Sequence, residues 1–370
     1  MRKHRLMRKR RLMRKRRLGA TLLVAVVVGS VVMVSAFSAD NEGGCTATGS
    51  SATTVVQVDA PGSGNSAAVQ AAIDAAARQG GGIVQLSAGR FDIDRPLLLK
   101  DNVALRGSGP ATVLKASARF LDTKGPHGGH PLITTEGADN VTIADLTADQ
   151  SGDVLDGNVD GRLNEYLIDV RHSVNALVER VSTRNPFTYS IAVVGSRDFC
   201  VRDSSTVAES SGRYNQLDGI HITDSHSGAV VGNRIDQRRG ADGDDGLVAQ
   251  TIGSAVHDVV YRDNDVRGGS HGAGMQLAVS GHEIYNITIE NNRFWGSPSG
   301  IRTGYYDGGT QSVRNIAVVG NTFFENDGAS LAFEGDLVNI RVERNTICRS
   351  GAIDIAPTAW QVVHGNQERC

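Results

Sequence analysis

Between Asn233 and Asn345 one short phrase returns at nearly constant spacing. Asn233-Arg234-Ile235, Asn264-Asp265-Val266, Asn292-Arg293-Phe294, Asn321-Thr322-Phe323 and Asn345-Thr346-Ile347 follow one another at steps of 31, 28, 29 and 24 residues. A second phrase, an asparagine heading an alternating apolar run, accompanies it at Asn140-Val141-Thr142-Ile143, Asn286-Ile287-Thr288-Ile289, Asn315-Ile316-Ala317-Val318 and Asn339-Ile340-Arg341-Val342. A repeat of this length marks a solenoid, because no single unit can bury its apolar face alone. Alternation over four positions is strand-like. The chain is therefore expected to wind into stacked coils of three short strands, with Val, Ile, Leu and Phe inward and polar side chains outward. The asparagines, which tolerate left-handed backbone and can bond a stacked neighbour, are expected to form a structural ladder. With 44 glycines and only 5% aromatic residues, the composition suits tight turns and short strands better than a helical protein.

The formal charge of -2 conceals a strong asymmetry. Eleven of the 38 basic residues fall between Arg2 and Arg17, no acidic residue precedes Asp40, and beyond residue 38 there remain 27 basic against 40 acidic groups, a net of -13. An acidic body argues against a nucleic-acid partner. Residues 1–18 repeat a basic phrase three times, with Met1, Met7 and Met13 as possible starts, and Gly19 to Phe37 is almost wholly apolar. A basic stretch followed by an apolar run reads as a secretory signal, with small residues offering cleavage after Ala36 or Ser38. An uncleaved single-span anchor is the alternative, so contact with a membrane is expected only through this segment. Three regions follow: 1–38 for targeting, 39–53 as a small polar linker, and 54–370 as the body. The product is expected to be a secreted monomer. Four cysteines in an exported chain allow three pairings, of which Cys348 with Cys370 is preferred because it pins the last coil. Neither Cys-x-x-Cys nor His-x-x-x-His spacing occurs, so no zinc site and no cofactor is expected.

From Asn65 or Ser66 the apolar residues Val69, Ala72, Ile73 and Ala76 fall at helical spacing, ending at Gly80-Gly81-Gly82. An amphipathic helix before a strand-rich body is what covers the open end of a solenoid core. Ile83 to Leu86, Phe91 to Ile93, Leu97 to Leu99 and Val103 to Leu105 then read as strands between turns. The run Ala68-Val69-Gln70-Ala71-Ala72-Ile73-Asp74, Gly80-Gly81-Gly82-Ile83-Val84, Ala88-Gly89-Arg90-Phe91 and Val103 to Gly109 resembles the opening of the pectate-lyase-like superfamily. That resemblance implies an all-β, right-handed parallel β-helix with an N-terminal capping α-helix. It covers about residues 54 to 115 and speaks to fold, not reaction.

Chemistry concentrates between Asn215 and Tyr306. Asn215-Gln216-Leu217-Asp218, Gly243-Asp244-Asp245-Gly246, Gly269-Ser270-His271-Gly272 and Gly300-Ile301-Arg302-Thr303-Gly304-Tyr305 each hold a polar group. Singly, each has a bland account: a solvated turn, a strand cap, a surface cation. Jointly, the steps Asp218 to Asp244 (26), Asp245 to His271 (26) and His271 to Arg302 (31) are each about one coil, which would bring the groups to one face. In this order the segments resemble glycoside hydrolase family 28, the polygalacturonase-like family, whose signatures are Asn-Thr-Asp, Gly-Asp-Asp, Gly-His-Gly and Arg-Ile-Lys followed by tyrosine. The motifs depart from that pattern: Asn-Gln-Leu-Asp replaces the first, Ser270 precedes the histidine, and Thr303-Gly304 stands where the lysine belongs. No lysine occurs after Lys124, which weakens the case for a uronate substrate.

The resemblance implies hydrolysis of a polysaccharide with inversion, Asp244 as general acid and Asp218 with Asp245 activating water. His271 would tune the cluster, and Arg302, Tyr305, Asn215 and His221 would bind substrate. An inverting pair is expected about 6.5–9.5 Å apart, and clustered carboxylates should hold a proton near neutrality. Tyr306, Trp295 and His226 are lesser candidates, as are His127 and His130, which are expected to rim the cleft rather than bind metal. Two other readings stand beside this one: a polysaccharide lyase or uronate epimerase on the same fold, and a non-catalytic glycan-binding β-helix.

Overall fold

The computed structural model describes residues 45–60, 65–157, 164–209, 216–239, 243–358 and 360–370. Residues 1–38, expected to carry targeting, and Asn215 lie outside them. Among the described residues no helix is long and apolar enough to cross a membrane. The body is a right-handed parallel β-helix, as expected. One face is a sheet of ten parallel strands, running Leu97–Leu98, Ile133–Thr134, Ile168–Arg171, Ile191–Val194, Ile220–Thr223, Leu247–Thr251, Met275–Val279, Ile301–Tyr305, Ala329–Phe333 and Gly351–Ile355. The other two faces merge at a corner, because the long strands Val141–Asp149 and Val174–Arg184 pair with each other through both.

Register on the ten-stranded face is fixed by the period-two pattern. Ile191 stands opposite Ile220, Ile220 opposite Leu247, Leu247 opposite Met275 and Met275 opposite Ile301. All five are fully buried. The next residue along each strand therefore points outward, which stacks Ala192, His221, Val248, Gln276 and Arg302 in one external column. A slip of one residue would carry the whole apolar row into solvent.

Two asparagine ladders run through the C-terminal coils of the stack. Asn233, Asn264, Asn292, Asn321 and Asn345 are at most 2% exposed. Each donates its backbone N–H and its Nδ2 to the Oδ1 of the next, at 2.8–3.1 Å, and the last reaches Asn366. Asn286, Asn315 and Asn339 form the second, outer ladder. The expected left-handed backbone belongs to these outer residues, each at φ 55°. In the buried ladder it falls one residue earlier, at Gly232, Asp263, Asn291, Gly320 and Arg344, so the side chain that bonds need not also turn the chain.

The helix Asn65–Arg78 buries Val69, Ala72, Ile73 and Ala76 in the same core. A strand, Val55–Val58, precedes it and pairs with Gly82–Leu86, so the stack begins ahead of the helix. Cys348 and Cys370 are bonded, as preferred, and Cys45 joins Cys200. That second bridge and the bonds of Thr48 and Gly49 to Asn175 Oδ1 and of Ser50 to Thr142 tie residues 45–50 to the body, where a linker was expected.

Asn292→Ala removes two bonds donated by the side-chain Nδ2 and two accepted by its Oδ1, and strands the backbone N–H of Asn264 in a buried setting. It is expected to cost about 2–4 kcal/mol in urea unfolding, against less than about 1 kcal/mol for Asn339→Ala on the outer ladder.

Candidate active site

Asp218 and Asp245 occupy equivalent places on neighbouring coils, two residues before the paired Ile220 and Leu247. The backbone N–H of Asp245 donates to Asp218 Oδ1 at 3.0 Å, and that of Ala273, one coil further, donates to Asp245 Oδ1 at 2.5 Å. Each carboxylate thus caps the turn above it, and both are nearly sealed, 4% and 3% exposed. Asp244 sits one residue outside this column, beside an isolated parallel bridge between Leu217 and Gly243. It is only half-buried and no side-chain hydrogen bond restrains its carboxyl among the described residues. Oxygens of all three aspartates lie within 4.8 Å of one another. This is tighter than the separation expected of an inverting pair across a sugar ring.

Three side chains from the outward strand column close the site. His221 Nδ1 lies 2.7 Å from Asp218 Oδ2, and its Nε2 2.9 Å from the side-chain amide of Gln250. Tyr189 stacks on the imidazole at 4.0 Å and 8°, and Tyr166 stacks on Tyr189 at 5.0 Å, which fixes the plane of the ring. Arg302 Nη2 reaches Asp245 Oδ1 at 3.3 Å. In the amide orientation that satisfies its neighbours, Gln276 accepts from Arg302 Nε at 2.9 Å and donates to Asp245 Oδ2 at 3.0 Å. The Tyr306 hydroxyl completes the network on Gln276. These residues line a cleft of about 200 Å³, and Gln276, Arg302 and Tyr306 also border a second recess, so the two form one groove along the sheet.

Burial is the main force on the ionisable groups. It pushes Asp218 up to about 7, against the N–H of Asp245 and the Arg302 cation, which favour the charged form. It pushes Asp244 up to about 7 as well, reinforced by the charge of Asp218. Asp245 is likewise raised well above the ordinary carboxylate range, by burial and then by both neighbours. Burial drives His221 the other way, down to about 4, so its ring is neutral near pH 7. One cation faces three carboxyls, and the cluster keeps protons where ordinary aspartates have lost theirs.

The structure brings together Asp218, Asp244, Asp245, His221 and Arg302 of the residues expected from sequence. His221 lines the cleft but is nearly sealed, with both ring nitrogens taken by Asp218 and Gln250. His271 is exposed and is not among the residues lining the cleft; its backbone N–H bonds the Gly243 carbonyl at 3.2 Å. The glycine after it matters more, since a Cβ on Gly272 would lie 2.3 Å from the Asp244 carbonyl carbon and 2.6 Å from its Oδ1. Tyr305 leans on the core and on Gly335 and borders the outer recess, whereas Tyr306 enters the site. Tyr189, Gln250 and Gln276 were missed, although the strand register alone places Gln276 between His221 and Arg302 in the outward column.

The fold and the groove define a right-handed parallel β-helix with a buried aspartate cluster on one sheet. No profile of a known protein family matches the sequence. The chain is 29% identical over 245 residues, 63% of its length, to mannuronan C5-epimerase AlgE1 of Azotobacter vinelandii, and 31% identical over 202 residues to alginate lyase 7 of the same organism. It spans only 16% and 22% of those relatives. Among solved structures it superposes on the polygalacturonase from Erwinia carotovora with a TM-score of 0.64, covering 86% of this chain and 97% of that one at 16% identity.

The raised aspartates fix the sign of the pH dependence of stability. Between about pH 4 and pH 7 the folded state holds protons that the unfolded chain has released, so their contribution is largest below pH 4 and is lost as pH rises through 7. Asp218→Asn is expected to melt higher than the unsubstituted protein at pH 8 and to show no such gain at pH 4 in a calorimetric scan. Gly272→Ala is expected to fold but to displace Asp244, lowering turnover at least tenfold.

Proposed function

We propose that this protein is a glycan hydrolase in which Asp244 is the general acid and a water resting on Asp218 and Asp245 is the nucleophile. The observation that carries this reading is the unequal setting of three clustered aspartates. Asp218 and Asp245 line the cleft with Oδ1 of each held by a backbone N–H of the coil above, which fixes them to hold and polarise a water rather than to swing toward a sugar carbon. Asp244 faces the groove unrestrained and stays protonated up to about pH 7. In the reaction, water attacks the anomeric carbon and yields its proton to the Asp218 and Asp245 pair. The glycosidic C–O bond breaks as Asp244 gives its proton to the leaving oxygen. Because the attacking group is water and not a carboxylate, the product is expected to have inverted configuration despite the tight cluster.

The groove favours a neutral or weakly charged glycan. Arg302 is the one cation among the described residues lining the cleft and its neighbouring recess, and Asp245 and Gln276 already engage it. Glu334 and Asp354 border the recess beyond it. Two disulfides fit an oxidising, extracellular setting. A second reading, proton abstraction from a uronate by a lyase or epimerase, is favoured by the sequence likeness to an epimerase and a lyase. It requires a cation free to neutralise the uronate carboxylate, which the engaged Arg302 supplies poorly.

Purified residues 39–370, given a panel of neutral and acidic polysaccharides, are expected to release reducing ends, with Asp244→Asn slowed about 10²–10⁴-fold. Activity is expected to fall on both sides of about pH 7, above it as Asp244 loses its proton and below it as Asp218, raised to the same range, takes one and can no longer accept the proton of water. Proton NMR of the first product should show the inverted anomer; retention would contradict the water mechanism. Unsaturated products would establish a lyase, and altered uronate composition without cleavage an epimerase.

A further inference from the structure

Toward the N-terminal end of the ten-stranded face lies a cluster that the hydrolytic reading does not use. Glu136 follows the strand Ile133–Thr134 and His172 follows Ile168–Arg171, at turns stacked by the pairing of those strands. Both carry left-handed backbone, φ 44° and 50°. For a glutamate this conformation is uncommon and sets the direction of the side chain. His127 comes from the glycine-rich loop 125–130 and places Nε2 2.6 Å from Glu136 Oε1. Its ring meets that of His172 edge-on at 5.7 Å. One donor atom from each of the three lies within 4.8 Å of the others. The sequence pairs His127 with His130, but the structure separates them: His130 is buried and bonds Glu165 at 2.8 Å.

Polar capacity at this place is left over. Glu136 Oε2 is sealed from solvent without a hydrogen-bond partner, and so is Oδ1 of the buried Asp169, whose charge is felt by both His127 and Glu136. His172 makes no side-chain hydrogen bond among the described residues, and its ring lies over Gly195, where a Cβ would meet Cδ2 at 2.7 Å. Two imidazoles and a carboxylate are the donor set of a borderline cation such as zinc, bound at about 2.0–2.2 Å with a fourth position open. Rotation of the two exposed histidine rings closes the gap from 4.8 Å to the roughly 3.4 Å between ligands of a tetrahedral ion.

We propose that His127, Glu136 and His172 form a divalent transition-metal site of the zinc class that fastens the 125–130 loop to two successive coils of the ten-stranded face. The ion would satisfy Glu136 Oε2; the neighbouring Asp169 is already paired through Oδ2 with Arg171 at 3.0 Å. It is separate from the aspartate cluster, which offers oxygen donors alone and suits harder cations.

Isothermal titration of the purified protein with Zn²⁺ near pH 7.5 tests the site, with Co²⁺ as a spectroscopic substitute. One ion per chain is expected, with a melting temperature that rises with the logarithm of free Zn²⁺ and a Co²⁺ visible spectrum of tetrahedral intensity. His172→Ala and His127→Ala should each abolish the tight phase, whereas Asp244→Asn should retain it. Both histidines are exposed, so folding of these variants can be confirmed by their metal-free melting curves. Absence of binding to the unsubstituted protein, binding undiminished in both histidine variants, or binding lost in Asp244→Asn would each overturn the proposal.

Discussion

The coil-to-coil hydrogen bond between parallel strands is the interaction on which everything else depends. It repeats wherever one coil lies on the next and fixes which residue stands above which. Where the pairing continues into the turn before each strand on the ten-stranded face, the same register lets an aspartate carboxylate accept the N–H of the coil above. Asp218 accepts from Asp245, and Asp245 from Ala273. What serves as a turn cap is therefore also what stacks two acids. The asparagine ladder performs the same task at another corner with neutral amides and no electrostatic cost.

That cost explains the character of the site. Carboxyls removed from water disfavour their charged form, and each one ionised makes the next harder to ionise. Arg302 offsets part of this, and the backbone donors offset more, yet the cluster still holds protons near pH 7. A protonated acid beside carboxylates that can take a proton is the pairing that general acid–base chemistry requires. Stability and function pull apart here, because the arrangement that keeps Asp244 protonated weakens the fold as pH rises.

Much of the fold was legible because solenoids write their period into the chain. The asparagine steps located the coils, the alternating runs located inward faces, and Cys348 with Cys370 followed from the need to pin the last coil. The site was legible only to within a residue or two. A step of 26 pairs Asp218 with Asp244, but the true register, set by Ile220 opposite Leu247, is 27 and pairs it with Asp245. The step from Asp245 to the next coil is 28, which selects Ala273 and leaves His271 out on the turn. Coils vary in length at their loops, so spacing counted through a loop drifts, whereas spacing counted from the inward isoleucines does not. His172 escaped notice and Tyr306 stood only as a lesser candidate for a related reason: each lies just past a strand end, where turn conformation and not strand alternation decides direction.

The central claim is that burial and mutual repulsion hold protons on the aspartate cluster near neutrality. Carboxyl carbon NMR of protein labelled at aspartate, titrated from pH 3 to 9, measures this without any substrate. The account predicts resonances, assigned through Asp218→Asn, Asp244→Asn and Asp245→Asn, that titrate near pH 7 or above and shift when a neighbour is replaced. Three carboxyls titrating independently near pH 4 would contradict it.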